Sequence, residues 1–172
     1  MSAGCKRRRS LQLGDGMGIR KDQGHQFSLG HYLKRRNGVA LGASGSLGNM
    51  MQRSFGAASF AGFWRYWNPI FSYYLDKHVY GPTSRFAPRW LALLVTFLIC
   101  GSLHDIVTLV YRGSTQFLFT LWFLFFALGV ILSEGMGMNM ARRPFWFRAA
   151  MHLTYLLVCL VLAISAQELF VG

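Results

Sequence analysis

The sequence has little that supports the common kinds of metal or catalytic centre. Its three cysteines, Cys5, Cys100 and Cys159, show no metal-binding spacing. It contains no Gly-x-Ser-x-Gly motif and no catalytic pair of carboxylates. These absences count against metalloenzymes and against hydrolases built on a serine or on two carboxylates. We therefore expect neither a bound metal nor a resident cofactor.

Acidic residues are also scarce, because 6 Asp and Glu stand against 18 Lys and Arg, for a formal net charge of +12. Ten of the basic residues lie at or before Arg53, where only Asp15 and Asp22 oppose them. Such an arm can lie against anionic lipid headgroups or bind other anionic ligands. Nucleic acid is the competing partner for a basic tail. We do not expect it, because a basic cytoplasmic flank is typical of membrane proteins.

Apolar residues dominate the rest of the chain. Hydrophobic residues make up 53% of it and the mean hydropathy is +0.31, too apolar for an ordinary soluble domain of 172 residues. We predict a basic, Gly-containing arm and loop over residues 1–53 and a membrane-embedded helical domain over 54–172. The first part of the arm lacks any hydrophobic period and is expected to be flexible. We expect no cleaved signal peptide, because no apolar core follows the basic run Lys6–Arg9.

Three segments are long and apolar enough to cross a hydrocarbon core of ~30 Å: residues 90–111, 116–133 and 150–171. The loop between the second and third contains Arg142, Arg143 and Arg148, whereas the loop between the first two has only Arg112. Positive charge is enriched in cytoplasmic loops. The sequence therefore predicts an all-α, multi-pass integral membrane protein with its N-terminus in the cytoplasm.

The segment 55–80 has a helical pattern but is too polar to span the membrane. Large apolar residues recur in it at spacings of three and four: Phe60, Phe63, Trp64, Trp67, Phe71, Tyr74 and Leu75. Four polar residues interrupt this face: Arg65, Asp76, Lys77 and His78. We expect helices that lie at the interface or dip partly into the bilayer. Pro69 predicts a break there, with one helix ending near Trp67 and the next capped by Asn68.

The first spanning segment carries a narrow polar stripe. Its members recur at every fourth residue: Thr96, Cys100, His104 and Thr108. Because lipid cannot satisfy such groups, we expect the stripe to face protein or a wet cavity. From the stripe alone, His104 is either a general base or an ordinary helix–helix contact. Asp105 points about 100° away from it, so we expect Asp105 to bond another helix or a cation such as Arg112.

Asn68 and His104 are the remaining candidates for chemistry. An imidazole can remove the proton of a hydroxyl group, and an amide can orient a substrate or stabilise an oxyanion. The two residues are thus a plausible set for acyl transfer. His152 and Tyr155, near the start of the third span, either line the same cavity or pack in the core, and packing is favoured.

Two motifs resemble those of the membrane-bound O-acyltransferase family. They are Phe63-Trp-Arg-Tyr-Trp-Asn-Pro69 and, one apolar helix later, Cys100-Gly-Ser-Leu-His-Asp105. The resemblance implies that His104 is the catalytic histidine and Asn68 its polar partner. It also implies an acyl thioester donor, such as acyl-CoA, and a hydroxyl acceptor. Substrate-binding roles then fall to the remaining polar and aromatic residues of the motif and stripe: Trp64, Arg65, Trp67, Thr96, Cys100 and Thr108.

The small number of spans leaves a second hypothesis open. Members of that family usually have more spans, arranged around a tunnel, than the three predicted here. The chain would then be a non-catalytic membrane subunit or scaffold that packs with a partner membrane protein. A homo-oligomer is the related possibility, and membrane lipid is an expected partner in every case.

Overall fold

A computed structural model of the protein describes residues 28–40 and 42–171. Every regular element within these ranges is a helix, which confirms the predicted all-α class. Most of the basic arm, including Cys5 and the run Lys6–Arg9, lies outside the described residues. Its predicted flexibility therefore stays a prediction, as does the cytoplasmic location of the N-terminus.

Eight α-helices follow one another along the described chain, with one π-helical turn between the fourth and fifth. The first five are short: α1 Leu29–Asn37, α2 Ser46–Phe55, α3 Phe60–Tyr66, α4 Pro69–Leu75 and α5 Gly81–Thr83. The π-helix covers Asp76–Tyr80 and continues α4 directly into α5. The last three are long: α6 Arg89–Arg112, α7 Leu118–Gly135 and α8 Phe145–Val171.

Helices α6, α7 and α8 are each long and apolar enough to cross a membrane. They confirm the three predicted spans, with one change of boundary. Helix α8 begins at Phe145, five residues before the predicted start, and includes Arg148. We had placed the start beyond that charge, but a charged residue near a helix end can reach the interface and need not end the helix.

Helix α7 is the centre of the bundle and packs against both α6 and α8. Its contact with α6 is close at Gly101. A Cβ atom there would lie 2.7 Å from the carbonyl oxygen of Phe119 and 2.8 Å from the Cα of Thr120. The backbones of α6 and α7 thus approach to a distance that excludes any larger side chain on α6.

Asp105 fixes the same pair of helices through hydrogen bonds. Its Oδ1 accepts from the backbone N–H of Phe119 at 3.2 Å, and its Oδ2 accepts from the N–H of Thr120 at 2.7 Å. The hydroxyls of Thr115 and Thr120 donate to it as well. A carboxylate on α6 therefore caps the first turn of α7, where N–H groups lack partners within their own helix. Of the two kinds of partner predicted for Asp105, the other helix is the one observed.

The chain break at Pro69 has the predicted form. Helix α3 ends at Tyr66, and Asn68 caps α4 with Pro69 as its first residue. The Oδ1 of Asn68 accepts from the N–H of Phe71 at 3.3 Å. The backbone of Asn68 has φ 41°, in the left-handed region that Asn tolerates better than most residues.

Helices α3 and α4, together with the π-helix that continues α4, form a hairpin over residues 60–80. Its two ends lie on the same side of the bundle. At its start, Ala58 O accepts a hydrogen bond from Met140 N in the α7–α8 loop. At its end, Tyr80 interacts with Arg89, the first residue of α6. Between them, the ring of Phe71 lies 6.1 Å from the imidazole of His104. His104 follows Arg89 by fifteen residues, or ~22 Å of helix, so the hairpin extends about that far along α6 from its two ends.

Two helices that the sequence analysis did not predict occupy part of the segment 28–53. Helix α1 packs on α4, where the rings of Tyr32 and Tyr73 meet at 5.3 Å. Arg53 of α2 donates to the carbonyl oxygen of Arg36 at 3.0 Å. Contacts between distant segments therefore order a stretch whose glycine content favoured a loop.

The close contact at Gly101 predicts that Gly101→Ala destabilises the protein by about 1–3 kcal/mol, the usual effect of overpacking. The new methyl group would press on the backbone of α7, which cannot rotate away. Thermal unfolding in detergent measures the effect. Gly135→Ala is the matched control, because nothing lies within 4 Å of a Cβ there. Equal melting temperatures for the two variants would contradict the close approach.

The cap predicts that Asp105→Asn destabilises the protein by about 1–3 kcal/mol. An amide has one acceptor oxygen where the carboxylate uses two, and its NH2 group would face the N–H donors of α7. Glu134→Gln is the control, because the Glu134–Arg89 ion pair is partly exposed and is expected to contribute less than about 1 kcal/mol. A larger loss of melting temperature in the control variant would count against the cap.

Candidate functional site

A cavity opens between the hairpin and the helices α6 and α7, and residues of α1 also line it. It brings together seven of the eight site residues named from the sequence: Trp64, Arg65, Trp67, Asn68, Thr96, Cys100 and His104. Thr108 is not part of its lining; the Thr108 hydroxyl donates to the carbonyl oxygen of His104 at 3.0 Å. The hairpin and α6 thus contribute facing walls of one space.

His104 is held in a defined orientation. Its Nδ1 lies 2.8 Å from the carbonyl oxygen of Cys100. A carbonyl only accepts hydrogen bonds, so Nδ1 is the donor and carries a proton. In the neutral ring, Nε2 then has the free lone pair. The imidazole packs against Phe119 and Phe123 of α7, at centroid distances of 5.6 and 5.1 Å.

Asn68 lies at the turn between α3 and α4. Its Oδ1 is engaged in capping α4, and the cap makes no use of the two N–H groups on Nδ2. The side chain is exposed and lines the cavity with His104. The break at Pro69 is the reason for this placement, because it puts a capping residue and its amide at the turn.

Trp64 and Trp67 form an ordered aromatic wall. The indole N–H of Trp64 donates to the hydroxyl of Tyr155 at 3.3 Å, and that hydroxyl donates to the carbonyl oxygen of Phe126 at 2.6 Å. Trp67 stacks on Phe63 with ring centroids 5.4 Å apart. These contacts fix both indoles before any ligand binds.

The cavity also has a polar part that the sequence analysis missed. Tyr32 and Arg36 of α1 line it, as do Ser72 and Asp76 on the hairpin. Burial raises the pKa of the Asp76 carboxyl above its usual range, and the nearby Arg36 opposes that shift. Burial likewise raises the pKa of Tyr32. No local signal predicted the contribution of α1, because its contact with the hairpin joins distant parts of the chain.

A signal for the hairpin residues was present in the sequence. Asn68, Ser72, Asp76 and Tyr80 recur at every fourth position and all line the cavity. They form a second polar stripe, opposite the stripe of Thr96, Cys100 and His104 on α6. We had treated Asp76 only as an interruption of an apolar face, and so missed the period.

His152 and Tyr155 pack in the core, and neither lines the cavity. His152 is fully buried, and its Nε2 lies 3.1 Å from the carbonyl oxygen of Ala57. Tyr155 stacks on Phe60 at 4.2 Å. Across the part of the chain that the structure describes, His, Cys, Asp and Glu form no group of three that could hold a metal ion.

Comparison with sequence models of protein families gives a match. The sequence model of the MBOAT, membrane-bound O-acyltransferase family matches residues 40–162, a range that contains the hairpin, α6, α7, α8 as far as residue 162, and both Asn68 and His104. Searches of curated proteins and of solved structures found no match. The family match covers well over half of the 172 residues. The chain therefore belongs to the membrane-bound O-acyltransferase family.

Proposed function

We propose that the cavity transfers an acyl group from a thioester to a hydroxyl group of an acceptor. The observation that carries the proposal is that Asn68 and His104 line one cavity, although 36 positions separate them in the sequence. Membership of the family supports O-acyl transfer in general. The assignment of roles to individual residues rests on the geometry of the site.

His104 acts as the general base. Because Nδ1 donates to the carbonyl oxygen of Cys100, Nε2 is the nitrogen that takes the proton of the acceptor hydroxyl. The same hydrogen bond stabilises the imidazolium once it forms, since a carbonyl oxygen faces the positive ring. Phe119 and Phe123 hold the ring against rotation.

Asn68 stabilises the negative charge that develops on the substrate. The acceptor oxygen forms a bond to the thioester carbonyl carbon, and the π electron pair of the C=O bond moves to the carbonyl oxygen, which gives a tetrahedral intermediate. An N–H of Nδ2 donates to that oxyanion. When the intermediate collapses, the carbon–sulfur bond breaks and the leaving thiolate takes the proton from His104. An ester and a free thiol result.

The remaining walls suit an acyl chain and its donor. Phe71, Phe97 and Phe123 line the cavity and exclude water from the reacting carbonyl. We propose acyl-CoA as the donor. Arg142 and Arg143 are exposed in the α7–α8 loop, on the side where the hairpin begins, and guanidinium groups bind phosphates well.

The role of His104 predicts that His104→Ala lowers kcat by at least about 100-fold, the usual contribution of a general base. Release of free thiol from an acyl thioester by protein in nanodiscs measures the rate. His78→Ala is the matched control, because His78 is exposed and stacks on Tyr74 at 6.2 Å, outside the cavity lining. Equal turnover in the two variants would refute the assignment.

The role of Asn68 predicts that Asn68→Asp lowers kcat by about 100-fold or more, with little change in melting temperature. Aspartate keeps an oxygen that caps α4, but it replaces the N–H donors with a charge that repels an oxyanion. Asn68→Ala, which also loses the cap, is expected to lose an additional ~1 kcal/mol of stability. Full activity in the Asp variant would show that Asn68 is only a cap.

A further inference from the structure

Asp76 is a half-buried titratable residue that the proposed acyl transfer does not use. It lies at the junction of α4 and the π-helix, and it lines the cavity on the same helical stripe as Asn68 and Ser72. Among the described residues its carboxylate takes part in no salt bridge. A π-helical turn is rare and occurs most often at functional sites. A carboxylate aimed into a cavity from such a turn needs a hydrogen-bond donor as its partner.

Arg36 of α1 complements this carboxylate. It also lines the cavity, and its guanidinium lies 5.2 Å from the ring centre of Tyr32. Arg36 is close enough to act electrostatically on Asp76. The two side chains therefore present an acceptor and a donor to the same space. A hydroxyl group satisfies both, because it donates to a carboxylate and accepts from a guanidinium.

Charged ligand groups fit this pair less well. An ammonium group would bond Asp76 but would be repelled by Arg36. An anionic group would bond Arg36 but would be repelled by Asp76. Like charges repel in a half-buried site. The pair of Asp76 and Arg36 thus favours a neutral hydroxyl over either kind of ion, and Arg65 adds a second guanidinium to the lining.

The position of Asp76 along the hairpin indicates the size of the ligand. Phe71 contacts His104, and Asp76 lies five residues further along the same helical segment. At 1.5 Å per residue, Asp76 lies ~7.5 Å from Phe71 along the helix axis. That length is comparable to one sugar ring or a short polyol.

We propose that Asp76 and Arg36 form a second polar subsite, which binds another hydroxyl of the acceptor while the reacting hydroxyl lies at His104. The acceptor is then a neutral polyol and not an alcohol with a single hydroxyl. This inference rests on the proposed function, because it takes His104 as the reaction centre.

The test compares two acceptors that share an alkyl chain, 1-octanol and octyl β-glucoside, below the micellar concentration of the glucoside and with protein in nanodiscs. Wild type is expected to prefer the glucoside in kcat/KM. Asp76→Asn should reduce that preference by about tenfold, mainly through KM for the glucoside. Arg36→Gln is a second variant that should shift the ratio in the same direction.

Glu168→Gln is the control, because Glu168 is an exposed carboxylate far along α8. An unchanged ratio in both cavity variants would overturn the subsite.

Equilibrium binding separates this inference from the proposed function. The His104→Ala variant is titrated with each acceptor, and the fluorescence of the cavity tryptophans Trp64 and Trp67 reports binding. Tighter binding of the glucoside that is lost when Asp76→Asn is added supports the subsite even if wild type transfers no acyl group. Equal binding of the two acceptors overturns the subsite even if acyl transfer is observed.

Discussion

The hydrogen bonds that the first turn of α7 donates to Asp105 fix the geometry on which the site depends. They hold the start of α7 against the middle of α6, at the level where Gly101 lets the two backbones meet. That contact places Phe119 and Phe123 against the imidazole of His104. Asp105 thus positions the two aromatic rings that pack on its neighbour His104. A buried carboxylate is tolerated here because helix N–H groups and hydroxyls satisfy both of its oxygens.

The site itself is formed by two polar stripes that face each other. One runs along α6 and ends in His104; the other runs along the hairpin from Asn68 through Ser72 and Asp76. Neither stripe can face lipid without leaving polar groups unsatisfied. Packing the hairpin over α6 and α7 meets that requirement and encloses a cavity. The same packing that satisfies these groups therefore brings Asn68 and His104 together.

Much of this arrangement was predictable from local sequence. Spans of about twenty apolar residues, the period-four stripe on α6 and the break at Pro69 all depend on neighbours within a few positions, and each is observed. The sequence leaves open whether the segment 55–80 lies at the interface or dips into the bilayer, because its depth depends on contacts with α6. The roles of Tyr32 and Arg36 escaped prediction, since α1 packs on the hairpin through contacts between distant positions. The four-residue period that includes Asp76 is visible in the sequence, but a charged side chain usually indicates the surface and so hides the period.

The most direct test of the account asks whether the hairpin lies beside His104 within the membrane. Cysteines replace Phe71 and His104 in a chain whose native cysteines are changed to serine, and a short bifunctional thiol reagent is applied in native membranes. The 6.1 Å ring contact predicts rapid intramolecular cross-linking. Tyr74→Cys paired with His104→Cys, on an exposed position of the same helix, is predicted to cross-link slowly. Cross-linking of the Phe71 pair no faster than that of the Tyr74 pair would contradict the re-entrant hairpin and the cavity built upon it.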